Sequence, residues 1–113
     1  RGKLSFGWMP PHPTLYVRPE IYEATQGFDR RFKISGDYLS VLKIFSMQNT
    51  RIRYNPSVMV NMALGGASTK GFTSRLKAVR EDYRALKLAQ IGSPLTVACK
   101  RIRKVNQFLS PRK

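Results

Sequence analysis

Apolar residues recur at helical spacing in three segments of the chain, and each segment predicts an amphipathic helix. The first helix covers about 37–48, with apolar positions at Tyr38, Leu39, Val41, Leu42, Ile44 and Phe45. The second covers about 73–90, and its apolar side comprises Leu76, Val79, Tyr83, Leu86 and Ala89. The third covers about 94–109, with one side formed by Leu95, Ala98, Cys99, Ile102, Val105 and Leu109. A shorter helix begins at Pro19, a favoured first helical residue, and Gly27 ends it.

Three stretches rich in β-branched and aromatic residues predict short strands at 14–17, 51–54 and 57–64. The third alternates imperfectly between apolar and polar residues, which is typical of a strand covered on both faces. With 113 residues, the chain forms at most one domain with a modest core.

The chain carries 21 Lys and Arg residues against six Asp and Glu residues, a net charge of +15 at pH 7. This charge predicts attraction to nucleic acid, phospholipid head groups or phosphorylated small molecules. The third helix adds Lys100, Arg101, Arg103 and Lys104 beside its apolar side. That basic face is either the solvated side of a packed helix or a surface that lies on an anionic membrane. Aromatic residues for base stacking are sparse among these cations, so nucleic acid is not the expected partner.

Asp37 is a candidate for chemistry because it follows Gly36 directly at the start of a predicted helix. A carboxylate there can cap the free N–H groups of the helix, or it can accept a proton as a general base. The residue types leave both roles open. His12, the only histidine, lies in a loop with three prolines, and it is either an ordinary surface residue or one whose position the prolines hold.

The small residues Gly65-Gly66-Ala67-Ser68 form the second candidate site. Such a loop is either an ordinary turn or a place where backbone N–H groups and the Ser68 hydroxyl approach an oxyanion. Its spacing does not match a P-loop. The chain has one histidine and one cysteine, and no Asp-x-Asp motif, so we do not expect it to bind a metal by itself.

Several short motifs follow one another in a definite order and cover most of the chain. They are Met9-Pro10-Pro11-His12-Pro13-Thr14-Leu15-Tyr16-Val17-Arg18, Ile21-Tyr22-Glu23, Gly27-Phe28-Asp29, Phe32-Lys33-Ile34-Ser35-Gly36-Asp37-Tyr38, Pro56-Ser57-Val58-Met59-Val60, Leu64-Gly65-Gly66-Ala67-Ser68 and Arg80-Glu81-Asp82-Tyr83-Arg84. With the basic C-terminal helix, this ordered set resembles the acceptor-side half of bacterial family 2 glycosyltransferases.

The resemblance implies an α/β fold: a C-terminal fragment of the Rossmann-like GT-A fold, with short strands followed by C-terminal helices. It implies an acceptor-side part of the catalytic domain at 1–70 and basic C-terminal helices at 71–113. It also implies an enzyme that transfers a sugar from a nucleotide-sugar donor to an acceptor hydroxyl, with inversion, in the synthesis of a surface polysaccharide or related glycan.

The resemblance also implies roles for individual residues. In such enzymes the acidic residue matched by Asp37 is the general base that removes the acceptor proton. Gly36 stands where the family often has a second acidic residue. The segment around His12 and Thr14 matches a loop near the acceptor and the donor sugar. The substrate contacts expected on this basis are His12, Thr14, Gly36, Gly65, Gly66 and Ser68.

The family's N-terminal portion, with the Asp-x-Asp motif that holds a divalent metal (Mg²⁺ or Mn²⁺) on the donor diphosphate, is not among these residues. We therefore expect the 113 residues alone to lack transferase activity. The expected partners are a nucleotide sugar, a glycan or lipid-linked acceptor, an anionic membrane surface and a second copy of the chain. The expected location is cytoplasmic, peripheral at the inner face of a bacterial plasma membrane. The alternative is a small basic module that binds nucleic acid or anionic lipid without chemistry.

Overall fold

A computed structural model describes residues 2–61 and 72–109, and for residues 72 and 104–109 it describes the backbone alone. In chain order the helices are α1 (Gly2–Ser5), a 3-10 helix (His12–Thr14), α2 (Pro19–Ala24), α3 (Gly36–Ser46), α4 (Phe72–Ala89) and α5 (Pro94–Leu109). The four helices predicted from the hydrophobic pattern and the proline signal are therefore confirmed.

Helix α3 is the centre of the core. Seven of its eleven residues are buried, namely Tyr38, Leu39, Ser40, Val41, Leu42, Ile44 and Phe45. Burial around most of the helix circumference indicates a helix covered on several sides. The covering residues in the core cluster come from α1, the turn before α3, α4 and α5, and they are Leu4, Phe32, Ala85, Leu86 and Val97. Residues from both the N-terminal helix α1 and the C-terminal helix α5 therefore contribute to the core.

The face that α4 buries differs from the predicted one. Ala78 and Ala85 are buried against the core, whereas Leu76 is 53% exposed and Val79 and Tyr83 are also exposed. Small side chains let α4 approach α3 closely, because the distance between packed helices depends on the side chains at the contact. The prediction was correct for Leu86, which is buried, and for Ala89, which is partly buried against the core. It was wrong for Leu76, Val79 and Tyr83.

The predicted apolar side of α5 is also wrong where the structure describes it. Leu95 is 73% exposed and Ile102 is 61% exposed, while Thr96 and Val97 are buried. The Thr96 hydroxyl donates a hydrogen bond of 2.7 Å to the Ser5 carbonyl, which ties the start of α5 to the end of α1. This contact fixes the start of α5, and Leu95 and Ile102 lie on its exposed side.

The predicted strands are wrong for the described residues, where no strand occurs. Residues 15–18 and 51–61 have irregular backbone, and Tyr54 and Val58 are 88% and 85% exposed. β-forming residues become strands only when neighbouring strands satisfy their backbone hydrogen bonds, and no such neighbour lies within the described part. Residues 62–64 of the third predicted strand lie outside it. The α/β, Rossmann-like fold class is therefore corrected to a helical one.

None of the helices in the described residues has the length and apolar content that crossing a lipid bilayer requires.

Candidate functional site

A cleft of about 130 Å³ lies where the start of α3 meets α4 and α5. Its walls combine one thioether and two aliphatic side chains with several polar and charged groups. The lining residues are Met9, Ile34, Ser35, Asp37, Ala78, Asp82, Lys100 and Arg101. It is the place where the candidate base predicted from the sequence meets the charged residues of the C-terminal helices.

Asp37 is the second residue of α3 and lines this cleft. Its Oδ1 atom accepts a hydrogen bond of 2.7 Å from the backbone N–H of Tyr38. Its Oδ2 atom has no hydrogen-bond partner among the described residues. The residue at the N-cap position is Ser35, and its side chain makes no capping hydrogen bond. One carboxylate oxygen of Asp37 is thus held by the helix, and the other is available to a ligand in the cleft.

The turn that leads into α3 is held by a side chain of another helix. Glu81, on α4, accepts hydrogen bonds from the backbone N–H groups of Lys33, Ile34 and Ser35 at 3.2, 2.8 and 2.9 Å. Burial raises the pKa of Glu81, but these three donors and the nearby Arg84 outweigh it, so the pKa lies below its usual value. These donors lie before the first turn of α3, whereas Asp37 accepts the N–H of Tyr38 within that turn, so Asp37 also acts as a cap of the helix.

Asp82 holds two cations beside the cleft. It is 1% exposed, and its two carboxylate oxygens accept hydrogen bonds of 2.7 Å from Lys100 Nζ and from a terminal guanidinium nitrogen of Arg101. A carboxylate taken out of water needs such partners, because an unpaired buried charge is strongly unfavourable. This three-residue cluster fixes α5 against α4.

The Lys100 ammonium also lies 3.3 Å from the centre of the Tyr38 ring, a cation–π contact. Burial lowers the pKa of Lys100, and the Asp82 carboxylate only partly offsets this effect. Burial, with a smaller contribution from the Asp82 charge, raises the pKa of Tyr38 to about 12. The Tyr38 hydroxyl is buried and has no hydrogen-bond partner in the described part of the chain.

The remaining predicted site residues lie outside the cleft lining. His12 begins the 3-10 helix, and its ring packs on Phe28 with 5.4 Å between ring centres. A side chain at Gly36 would come within 4.0 Å of the same Phe28 ring, so Phe28 bridges His12 and the residue before Asp37. Thr14 donates a hydrogen bond of 2.8 Å to the Pro11 carbonyl, which closes the loop.

The other predicted substrate contacts, Gly65, Gly66 and Ser68, lie outside the described residues.

Four residues in or next to the cleft were not predicted as site residues from the sequence: Glu81, Asp82, Lys100 and Arg101. No role was predicted for Glu81 and Asp82, and Lys100 and Arg101 were placed on a basic face that is either solvated or lies on a membrane. The structure instead pairs these two cations with the buried Asp82. The available signal was the pair of adjacent carboxylates in a chain with only six acidic residues. Adjacent positions on a helix point in different directions, so one carboxylate meets the α3 backbone and the other meets α5.

Within the described residues, no group of three or more His, Cys, Asp or Glu side chains could hold a metal ion. The divalent metal implied by the family resemblance therefore has no fitting ligand set in this part of the chain.

No protein-family model, curated protein or solved structure matches this chain.

Proposed function

We propose that this chain supplies the acceptor side of an inverting glycosyltransferase, in which Asp37 is the general base. Two observations support the proposal: the ordered set of motifs in the sequence, and the Asp37 carboxylate in a cleft with one oxygen free of described partners. The second observation carries the assignment of the base, because a general base must be able to reach the proton that it removes.

The reaction needs a proton acceptor beside the attacking hydroxyl. Asp37 takes the proton of the acceptor hydroxyl as that oxygen forms a bond to the anomeric carbon of the donor sugar. On the opposite face of the sugar, the bond between the anomeric carbon and the diphosphate oxygen breaks, and the nucleoside diphosphate leaves with the electron pair. A single displacement of this kind inverts the configuration at the anomeric carbon. No step is assigned to a metal.

The position of Asp37 is well defined by its surroundings. It lies between Gly36, which is packed near Phe28, and Tyr38, which is 1% exposed. Holding a catalytic group in one place on a rigid element contributes to rate, because little has to be reorganised when the substrate binds. The Phe28 ring lies near Gly36, packs on the His12 ring and is 49% exposed, so it offers apolar surface for a sugar ring.

The test uses the full-length product of the gene that encodes this sequence, assayed with a panel of nucleotide sugars and divalent metal. We expect Asp37→Asn to lower kcat by about 100-fold or more, since general-base catalysis contributes 10²–10⁴-fold, while donor binding is retained. Glu20→Gln, at an exposed residue of α2, is the matched control and should leave kcat unchanged. Full turnover by Asp37→Asn, or no transfer by the unmodified protein with any donor, would contradict the proposal.

A second proposal concerns where the chain works, and it follows from the outward side of α5. Leu95 and Ile102 are two turns apart on one side of the helix and are 73% and 61% exposed. Arg103 beside them is also exposed. An apolar stripe bordered by basic residues is typical of a helix that lies in the interface of an anionic membrane. We propose peripheral attachment to the cytoplasmic face of a bacterial plasma membrane.

Vesicle co-sedimentation tests this attachment. The chain should bind vesicles that contain phosphatidylglycerol and bind phosphatidylcholine vesicles much less. Replacing both Leu95 and Ile102 with Ser should weaken binding to the anionic vesicles, and Leu88→Ser on α4, at another exposed apolar position, is the control. Equal weakening by the control and the double variant would show that α5 is not the attachment surface.

A further inference from the structure

Arg101 has more hydrogen-bond donors than its partners use. A guanidinium carries five N–H groups, and within the described residues the only acceptor of Arg101 is Asp82. Its Nε–H is buried without a partner there. A buried donor without a partner is uncommon in folded proteins and calls for a physical reason. The side chain is still 29% exposed and lines the cleft, so its other donors are accessible to a ligand.

The charged groups that line the cleft are two cations, Lys100 and Arg101, and two carboxylates, Asp37 and Asp82, and the positive charge is concentrated on the side of Arg101. Asp82 neutralises one of the two cations that contact it, which leaves one positive charge in the Asp82–Lys100–Arg101 cluster. The net charge of +15 adds a positive field around the whole chain. Asp37, on another wall of the cleft, repels an anion but accepts hydrogen bonds. A ligand that carries an anionic group and a hydroxyl can place the anion at Arg101 and donate the hydroxyl hydrogen bond to Asp37.

We propose that the cleft binds an anionic group of the acceptor, a phosphate or a carboxylate, through Arg101 and Lys100, while Asp37 accepts the neighbouring hydroxyl. This inference rests on the proposed transferase function, because it names the class of acceptor for the same site. The planar guanidinium forms paired hydrogen bonds with phosphate or carboxylate oxygens, and Lys100 adds a point charge.

The two cations are held in place before any ligand binds. Lys100 is fixed by Asp82 and by the Tyr38 ring, and its backbone packs tightly against Gly7. Side chains that are already ordered lose little entropy when they bind a ligand. The cluster is therefore both a structural link between α4 and α5 and a preorganised wall for the anion.

The test measures binding by the chain itself, without transferase activity. Glucose 1-phosphate, glucuronic acid and glucose are titrated into it, and backbone amide shifts around Asp37 and Lys100 are followed by NMR. We expect glucose 1-phosphate or glucuronic acid to bind and neutral glucose not to bind. The two anionic probes distinguish a phosphate from a carboxylate as the recognised group.

Variants of Arg101 show whether this residue is responsible. Arg101→Gln should weaken binding of the anionic probe by about tenfold or more, because hydrogen bonds to charged groups contribute about 1.5–3 kcal/mol. Arg103→Gln removes an equal charge from an exposed position of the same helix and should weaken binding much less. Arg101→Lys keeps the positive charge beside Asp82 but lacks the paired N–H donors, so it should also weaken binding. If Arg101→Gln does not fold, the Arg101→Lys variant tests the role of Arg101 in its place.

If Arg101→Gln and Arg103→Gln weaken binding of the anionic probe equally, the binding is due to general charge attraction, and the proposal is overturned. Binding of glucose as tight as that of the anionic probes would also overturn it. The binding test can fail or succeed independently of the transferase test. A protein that binds glucose 1-phosphate through Arg101 but transfers no sugar has the anion site without the proposed activity.

Discussion

Glu81 Oε2 accepts a hydrogen bond of 2.9 Å from the backbone N–H of Ser35, a residue 46 positions earlier in the chain. Ser35 immediately precedes α3, and Glu81 lies in the middle of α4. The N–H at the N-cap position has no partner within the helix, and a carboxylate near the start of a helix is favourable. This single side chain therefore joins the central helix of the core to the helix that packs on it, at the edge of the cleft that contains Asp37.

The lowered pKa of Glu81 predicts how stability depends on acid. A carboxyl group whose pKa is lower in the folded state stabilises the fold fully above its usual value of 4.5, and the contribution is lost as the pH falls through the folded-state pKa. We expect the free energy of unfolding to fall as the pH drops below about 4.5.

Glu81→Gln should reduce the part of this acid dependence that Glu81 causes and lower the stability at pH 7 by about 2 kcal/mol. Urea unfolding followed by circular dichroism at pH 3 to 7 measures both quantities. Glu23→Gln, at an exposed side chain without a hydrogen bond in the described part, is the control. An unchanged pH profile in Glu81→Gln would show that its hydrogen bonds to the turn before α3 do not stabilise the fold.

Asp82→Asn should lower the free energy of unfolding by about 3 kcal/mol, because it leaves two partly buried cations without their counter-charge. Asp29→Asn is the comparison, since Asp29, whose side chain is 15% exposed, pairs with an Arg31 side chain that is 70% exposed. Exposed ion pairs contribute little to stability, so the control should move the unfolding midpoint only slightly. Equal shifts in the two variants would contradict the role given to the buried cluster.

Gly7→Ala should destabilise the fold by more than about 2 kcal/mol. Gly7 has a φ of +72°, which L side chains rarely adopt, and a Cβ atom there would lie 2.5 Å from the backbone nitrogen of Lys100. A Cβ atom at Gly2 has no neighbour within 4 Å, so Gly2→Ala should change stability by less than about 1 kcal/mol. Thermal unfolding compares the two variants. A Gly7→Ala protein as stable as Gly2→Ala would rule out the close packing of Gly7 against Lys100 of α5.

Leu42→Ala should lower the free energy of unfolding by about 2–5 kcal/mol, because it opens a cavity in the core. Leu42 has no exposed surface in the middle of α3. Leu88→Ala, at a position of α4 that is 54% exposed, makes the same chemical change outside the core. Denaturant unfolding should separate the two variants clearly; similar losses would contradict the central position of α3.

The sequence alone predicted the helices because their signals are local. The apolar spacing of α3 and the proline at the start of α5 depend on neighbouring residues, and the observed bounds agree with them. The position of Asp37 in the first turn of α3 was predicted for the same reason. The cleft around it was not, because Asp82 and Lys100 come together only through the packing of α4 and α5.

Strands and buried faces required the tertiary structure. A stretch such as 51–54 contains good β-forming residues, but a strand also needs a neighbour that completes its hydrogen bonds, and none lies within the described residues. The apolar pattern of α4 favoured Leu76 for the core, yet close packing on α3 selected Ala78 and Ala85. Local spacing thus determined where helices form and where Asp37 lies along the chain. Helix packing decided which side each helix buries and which charges meet Asp37, because these depend on contacts between residues far apart in sequence.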